Sequence, residues 1–178
     1  MAAVRNGQLG WTRIDDLHRT ILDRILPEFG QDLTEEQRQH LNLAWHRLAP
    51  WPDAVEGLTR LKSRFTIVTL SNGNLSLLAN MAKQVKLPWD LILSAEVFRH
   101  YKPDPEAYLG VANVFDVRPD EVMLVATHED DLEAAQRCGL QTAYVHRPAE
   151  YGPQPKAVGD LTRFDIDAAD FIELNFRL

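Results

Sequence analysis

A chain of 178 residues, 45% of them hydrophobic, is long enough to bury a real core in one domain with a small appended subdomain. Its formal net charge of -7 argues against a nucleic-acid or anionic-membrane surface, yet leaves room for a local basic site that holds a small carboxylate or phosphate. Cys138 is the one cysteine, which excludes an intramolecular disulfide and fits a reducing compartment; with no apolar leader core and no window of about 18 apolar residues, the expectation is a soluble cytoplasmic protein.

Residues 1 to 50 carry a helical pattern and no strand pattern. Ile14, Leu17, Ile21, Leu22, Ile25, Leu26 and Phe29 recur at spacings of three and four, with Pro27 at a kink and Gly30 where helices end. A second helix opens with a capping box from Thr34 to Gln37, carries Leu41, Leu43, Ala44, Trp45 and Leu48, and stops at Pro50. Together they predict a helical hairpin. His18, His40 and His46 lie on it without the Cys or carboxylate spacing of a metal site, and are read as surface or packing residues.

From Trp51 to the end, over 51–178, helices alternate with strands. A helix over 53–64 leads into a strand over 65–70, followed by a helix over 75–85 with Leu77, Leu78, Met81 and Val85 on one face. A short strand over 91–94 comes next. Asp104 then caps a helix that has Pro105 in its first turn and Tyr108, Val111, Ala112 and Phe115 at helical spacing. A strand over 122–126, a helix from about residue 130 to Cys138 that ends at Gly139, and a strand over 142–145 follow. Residues 149–160, with their Gly and Pro, read as a loop, and 168–176 as a terminal helix. This alternation predicts an α/β fold with a parallel sheet covered on both faces.

The strand over 65–70 is the centre of the functional reading. It is an apolar run that ends in Ser71, Asn72 and Gly73, so it delivers two hydrogen-bonding side chains and a close-approach glycine to the carboxyl edge of the sheet, where open α/β sheets bind ligands. Two further strand ends share that edge. One leads to Tyr101-Lys102-Pro103-Asp104, the other to Thr127, His128, Glu129, Asp130 and Asp131. A lysine there can neutralise a substrate carboxylate or phosphate and hold a catalytic carboxylate ionised.

Three of these segments carry a resemblance. The series SNG at Ser71 to Gly73, YKPDPEAY at Tyr101 to Tyr108 and VATHEDDLEAA at Val125 to Ala135 resembles the haloacid dehalogenase superfamily, and within it the type II, L-2-haloacid dehalogenase group. GWTRIDDLHR and LNLAWHRLAPWPDAVEGL stand where that group has cap helices and the return to the core. The resemblance implies a helical cap over 1–50 and a Rossmann-like α/β core over 51–178. It implies that Ser71, Lys102 and Asp131 are catalytic, ordering the charged centre, and that Asn72, Tyr108, Thr127 and His128 contact the substrate. The group's mechanism is nucleophilic: an aspartate carboxylate displaces halide from C2 to form an ester, which water then hydrolyses. It uses no metal and no other cofactor. Magnesium-dependent phosphatases of the superfamily generally place an aspartate where this chain has Thr127, which favours the dehalogenase-like reading.

Two departures qualify it. Ala126 and His128 stand where the dehalogenases have serine and asparagine; His128 either replaces the amide as a donor or acts on water, or is a pH-sensitive structural residue. The superfamily nucleophile belongs to an Asp-x-Tyr/Phe-Gly-Thr motif on the first strand, and that motif is not in this sequence. Asp15 and Asp16 open a helix and are not read as nucleophiles, and Arg5 and Arg13 do not inherit the halide-binding role of the group's cap arginine. The expectation is therefore hydrolytic dehalogenation of a short 2-haloacid or another small carboxylate in a complete relative, with this chain inactive as given. The rival is a non-catalytic ligand-binding or interaction module, and a magnesium-dependent phosphatase is third. In the family fold the missing strand lies between those that end at Leu70 and Ala126, so these would pair directly, accept a segment of a second copy in a homodimer, or leave a loose core.

Overall fold

A computed structural model describes residues 1–152 and 159–178. The polypeptide begins with a short helix α1 (Ala2–Arg5) and then forms the expected helical hairpin, α2 (Ile14–Ile25) against α3 (Glu35–Asn42). Each helix is shorter than its apolar pattern and passes into a 3-10 turn, Leu26–Phe29 after α2 and Leu43–Arg47 after α3. Pro27 has no amide hydrogen for an α-helical bond, and Gly30 closes the first turn with a left-handed backbone at φ 63°. The capping box forms as read, with the Gln37 amide donating to Thr34 Oγ1 at 3.3 Å and the Thr34 amide donating to Gln37 Oε1 at 2.8 Å.

The α/β part runs α4 (Ala54–Lys62), β1 (Val68–Ser71), α5 (Leu75–Val85), β2 (Leu91–Ser94), α6 (Ala95–Phe98), α7 (Pro105–Phe115), β3 (Met123–Ala126), α8 (Glu129–Arg137), β4 (Gln141–Val145), β5 (Ile166–Ala168) and α9 (Phe171–Arg177). Every strand pair is parallel, but the strands form two sheets rather than one: β1 with β2, and β3 with β4 and β5. The direct pairing of β1 with β3 considered from the sequence is not formed. The first strand also starts three residues later than its composition suggests. The Phe65 amide still donates to Leu61 O at 2.9 Å, closing α4, and the Phe65 ring lies exposed under Arg64. β5 and α6 are additions to the reading, and the terminal helix begins after Ala168, which belongs to β5. The loop reading over 149–160 is met by turns at 149–152; residues 153–158 of it lie outside the described residues.

The three-stranded sheet is packed on both faces by period-two alternation. Leu124 and Tyr144 face a cluster with Tyr108 of α7, Leu132 and Ala135 of α8, and Leu140 and Phe164 from the segments that precede β4 and β5. Ala143 and Val145 face the other way, against Leu58 and Leu61 of α4, Ala168, and Leu174 of α9. In the two-stranded sheet Thr69 is buried, and its hydroxyl donates to Leu93 O at 2.7 Å while accepting from Leu93 N at 3.1 Å. This side-chain pairing adds to the ladder between β1 and β2. Among the described residues no helix is long and apolar enough to cross a membrane.

Candidate functional site

The ends of β1, β2 and β3 deliver three segments to one place: the loop 71–74, the loop 101–104 and the first turn of α8. Hydrogen bonds hold them together. Asn72 and Lys102 are joined by a reciprocal pair, with the Lys102 amide donating to Asn72 Oδ1 at 2.8 Å and Asn72 Nδ2 donating to Lys102 O at 3.2 Å. The Asn72 amide group is thus committed to the backbone beside the lysine and fixes where that lysine starts. Within the loop, Gly73 N donates to Ser71 Oγ at 3.0 Å, which leaves the Ser71 hydroxyl hydrogen available for an acceptor.

Asp131 is the node. Its Oδ2 accepts from Lys102 Nζ at 2.5 Å and its Oδ1 from the Tyr108 hydroxyl at 2.6 Å, so both carboxylate oxygens are engaged. Lys102 and Asp131 keep only 15% and 16% side-chain exposure, and Tyr108 is fully buried. The lysine is therefore not the solvated strand-end residue that its type suggests. Burial, followed by its hydrogen bond to Asp131 and that group's charge, pushes the Tyr108 phenol far above its usual range, so it stays a proton donor. An ammonium has three N–H groups and Asp131 uses one, which leaves two for an anion.

The other sequence-derived candidates have partners of their own. His128 is at the start of α8, with Nε2 2.8 Å from Glu150 Oε1 and 3.4 Å from the Tyr151 hydroxyl. Glu150 was not legible as its partner, because it lies 22 residues away in a turn without a strand or helix pattern. Thr127 lines a pocket of about 190 Å³ together with Trp51, Arg147 and Phe171. Asp104 occupies the N-cap position of α7 as expected but does not cap it; its Oδ1 accepts from Arg5 Nε at 2.7 Å instead. Among the described residues no group of three or more His, Cys, Asp or Glu side chains is arranged to hold a metal ion.

Sequence reasoning also missed a buried cluster beside the 71–74 loop. Asp15 Oδ2 accepts from Asn74 Nδ2 at 2.5 Å and lies 3.0 Å from His46 Nε2, whose Nδ1 lies 2.9 Å from Asn80 Nδ2. A carboxylate can only accept, so the imidazole donates to it from Nε2. Asn74 is 2% exposed and His46 6%. His46 is a packing residue, as read from the sequence, but one with polar partners on both ring nitrogens.

The haloacid dehalogenase-like hydrolase family profile matches residues 2–139. The (S)-2-haloacid dehalogenase 1 of Pseudomonas sp. (strain CBS-3) is 35% identical over 141 residues, which take in 76% of this chain and 62% of that protein. The (S)-2-haloacid dehalogenase 4A of Burkholderia cepacia is 37% identical over 120 residues, 64% of this chain and 52% of its own length. The chain thus spans little more than half the length of these curated relatives. Among solved structures, an L-2-haloacid dehalogenase superposes with a TM-score of 0.94 at 44% identity, covering 99% of this chain and 78% of that one. A defluorinating L-2-haloacid dehalogenase gives 0.93, also at 44% identity, over 100% of this chain and 74% of its own.

Proposed function

The chain belongs to the haloacid dehalogenase-like hydrolase family, and from that premise we propose that its strand-end site binds the carboxylate of a short 2-haloacid and serves hydrolytic removal of the halogen. The observation that carries this reading is the Asp131 carboxylate held between the Lys102 ammonium and the Tyr108 hydroxyl, at 2.5 Å and 2.6 Å. With Lys102 and Asp131 only 15% and 16% exposed, the ammonium is held in one place by its partner, so its remaining N–H groups are aimed at a bound anion without the reorganisation a mobile surface lysine needs. The roles follow from the partners. Lys102 presents its remaining N–H groups to the bound acid, Ser71 donates its hydroxyl hydrogen, and Gly73 lets the backbone come close. Asp131 orients Lys102, Tyr108 orients Asp131, and Asn72 sets the backbone on which Lys102 stands. His128, steadied by Glu150, is assigned to contact the acid or its water.

Displacement of halide needs a carboxylate that is free to attack C2. Asp131 has both oxygens engaged, and the sequence holds no Asp-x-Tyr/Phe-Gly-Thr motif. The 178-residue polypeptide is accordingly expected to bind the acid without turning it over. A carboxylate-binding module without catalysis is the second reading, favoured by that same engagement of Asp131. The two separate in one experiment. L-2-chloropropionate is titrated against this polypeptide and against a fusion that supplies an N-terminal strand with the motif, and chloride release is measured. Saturable binding to both with chloride released by the fusion alone supports the enzyme, binding without release by either supports the module, and no binding by either overturns both.

A further inference from the structure

The segment from Trp11 to Asp15 reaches across both loops of the site and grips each of them. Trp11 stacks on Tyr101 with ring centroids 4.7 Å apart, and the Tyr101 hydroxyl donates to Thr12 O at 2.8 Å. At the other end Asp15 holds Asn74 twice: its Oδ2 accepts from Asn74 Nδ2 at 2.5 Å, and its backbone amide donates to Asn74 Oδ1 at 3.4 Å. The first contact anchors the loop that carries Lys102. The second anchors the loop that carries Ser71, Asn72 and Gly73.

Asn74 shows that the second contact is more than incidental packing. It occupies the N-cap position of α5 with extended backbone, φ -67° and ψ 156°, and asparagine is among the residues that cap best. Its side chain nevertheless makes no capping bond. Glu96 takes over, accepting from Leu75 N at 2.8 Å, while the Asn74 amide turns into the protein, 2% exposed, toward Asp15. Asp15 is itself held from the hairpin side, by His46 at 3.0 Å and by Asn42, whose Nδ2 donates to Asp15 O at 3.1 Å. Asp15 Oδ1 is buried with no hydrogen-bond partner among the described residues. A carboxylate kept buried with one oxygen unsatisfied needs strong compensation at the other, and Asn74 and His46 supply it.

The loop between β1 and α5 is only three residues long and has side-chain tethers on both sides: Asn72 to the Lys102 backbone, and Asn74 to Asp15. Gly73, between them, sets the Ser71 hydroxyl through its amide. We propose that Asp15 is a positioning residue for the carboxylate-binding loop, acting through Asn74 to fix Ser71 and Gly73 relative to Lys102. It thereby makes the geometry of the site depend on the seating of the helical hairpin. This assignment rests on the reading of the 71–74 loop as a carboxylate site. Asp15 touches no substrate in this role.

The test uses the full 178-residue chain, L-2-chloropropionate as the probe, and NMR observation of the Asn72 and Gly73 amides. Asp15→Ala should weaken probe binding about tenfold, the scale of one charge-assisted hydrogen bond, and should speed hydrogen exchange at the Gly73 amide by a similar factor without probe. The exchanged pair Asp15→Asn with Asn74→Asp can rebuild the same contacts: one hydrogen of the new amide nitrogen goes to the carboxylate at position 74 and the other to His46 Nε2, once the imidazole proton moves to Nδ1 and the Asn80 amide turns its oxygen to it. It should restore both readouts to within about threefold of the parent. If Asp15→Ala does not fold, Asn74→Ala breaks the same bond from the other side and carries the test. Unchanged affinity and exchange in the single variants, or a loss that the exchanged pair does not recover, would overturn the assignment. A parent chain that shows no saturable shift with the probe would instead defeat the carboxylate reading, and the tether would be judged by the exchange rates alone.

Discussion

Tyr108 donates its hydroxyl hydrogen to Asp131 across 2.6 Å from a position with no solvent exposure, joining the first helix turn after the lysine loop to the first turn of α8. Because burial and the neighbouring carboxylate push its ionisation far up, the phenol stays protonated and the bond persists across the whole neutral range. Tyr108→Phe keeps the ring and removes the donor, leaving Asp131 Oδ1 without a partner. The expected cost is about 1–3 kcal/mol in urea unfolding, the penalty for stranding one polar group in the interior. Binding of L-2-chloropropionate should weaken as well, since Asp131 then loses half of its support. A variant with unaltered unfolding and unaltered affinity would show that the bond carries neither.

Lys102 is predicted to matter for the fold as well as for the site. Its type suggests an exposed strand-end lysine whose removal leaves stability untouched, but its side chain is 15% exposed and paired with an Asp131 that is 16% exposed. Breaking a fully buried pair by removing one partner costs roughly 3–5 kcal/mol, because the other charge is left uncompensated, and the residual exposure here should bring that down to about 2–3 kcal/mol. Lys102→Met should therefore lower the unfolding midpoint and abolish probe binding. Adding Asp131→Asn should return much of the stability and none of the binding, which a double-mutant cycle reads directly. Full stability in Lys102→Met alone would restore the solvated picture.

The elements that were legible in the sequence are those whose pattern is local. The β2 strand and α5 lie within the boundaries read from apolar runs and three-four spacing, and the capping box at Thr34 forms as its spacing requires. The start of β1 was not legible, because Phe65, Thr66 and Ile67 have strand-type composition while the end of α4 holds the Phe65 amide. Ile166–Ala168 escaped because three residues around an aspartate make no alternation; that strand exists through its pairing with β4. The site divides in the same way. Ser71 ends β1, Asp131 lies in the first turn of the helix after β3, and Tyr108 lies in the first turn of the helix after Lys102, so their grouping follows from the topology even though α6 separates Lys102 from the end of β2. The Asp15 contacts with Asn74 and His46 join residues 59 and 31 positions apart and leave no periodic trace.

Gly57 tests how tightly α9 is packed on α4. A Cβ at this position would run into the Cβ of Phe171, with the Phe171 carbonyl carbon at 2.9 Å, so backbone and not merely a flexible side chain stands in the way. Alanine in a helix interior is ordinarily favoured over glycine by about 1 kcal/mol, whereas forcing apart a packed contact costs typically about 1–3 kcal/mol. The clash should win, and Gly57→Ala should lower stability by about 1–2 kcal/mol in urea unfolding. Gly10→Ala, where the added carbon meets nothing within 4 Å, serves as the control and should stay within about 0.5 kcal/mol of the parent. A stabilised Gly57→Ala would mean that α9 can move away freely.

The same helix gives the chain a defined response to acid. Asp53 lies beneath Arg147, accepting from its Nη1 and Nη2 at 2.9 Å each and from the Phe171 amide at 2.9 Å, while the guanidinium also lies over the Trp51 and Phe171 rings. Burial alone would raise the Asp53 pKa. The hydrogen bonds from Arg147 and Phe171 and the charge of Arg147 outweigh it and hold the carboxyl below its ordinary value. A carboxyl depressed in the folded state adds stability that is fully present above its unfolded pKa, about 3.9, and disappears as pH falls through the lower folded value. Asp53→Asn should thus unfold at a lower urea concentration than the parent near pH 6, and the gap should narrow as pH drops from about 4 toward about 2. Asp90, held low by Lys62, and Glu173, held low by the Ala169 amide, are common to both proteins, so the difference isolates Asp53. A gap that stays constant through this window would mean that Asp53 contributes packing alone, with no linkage to its ionisation.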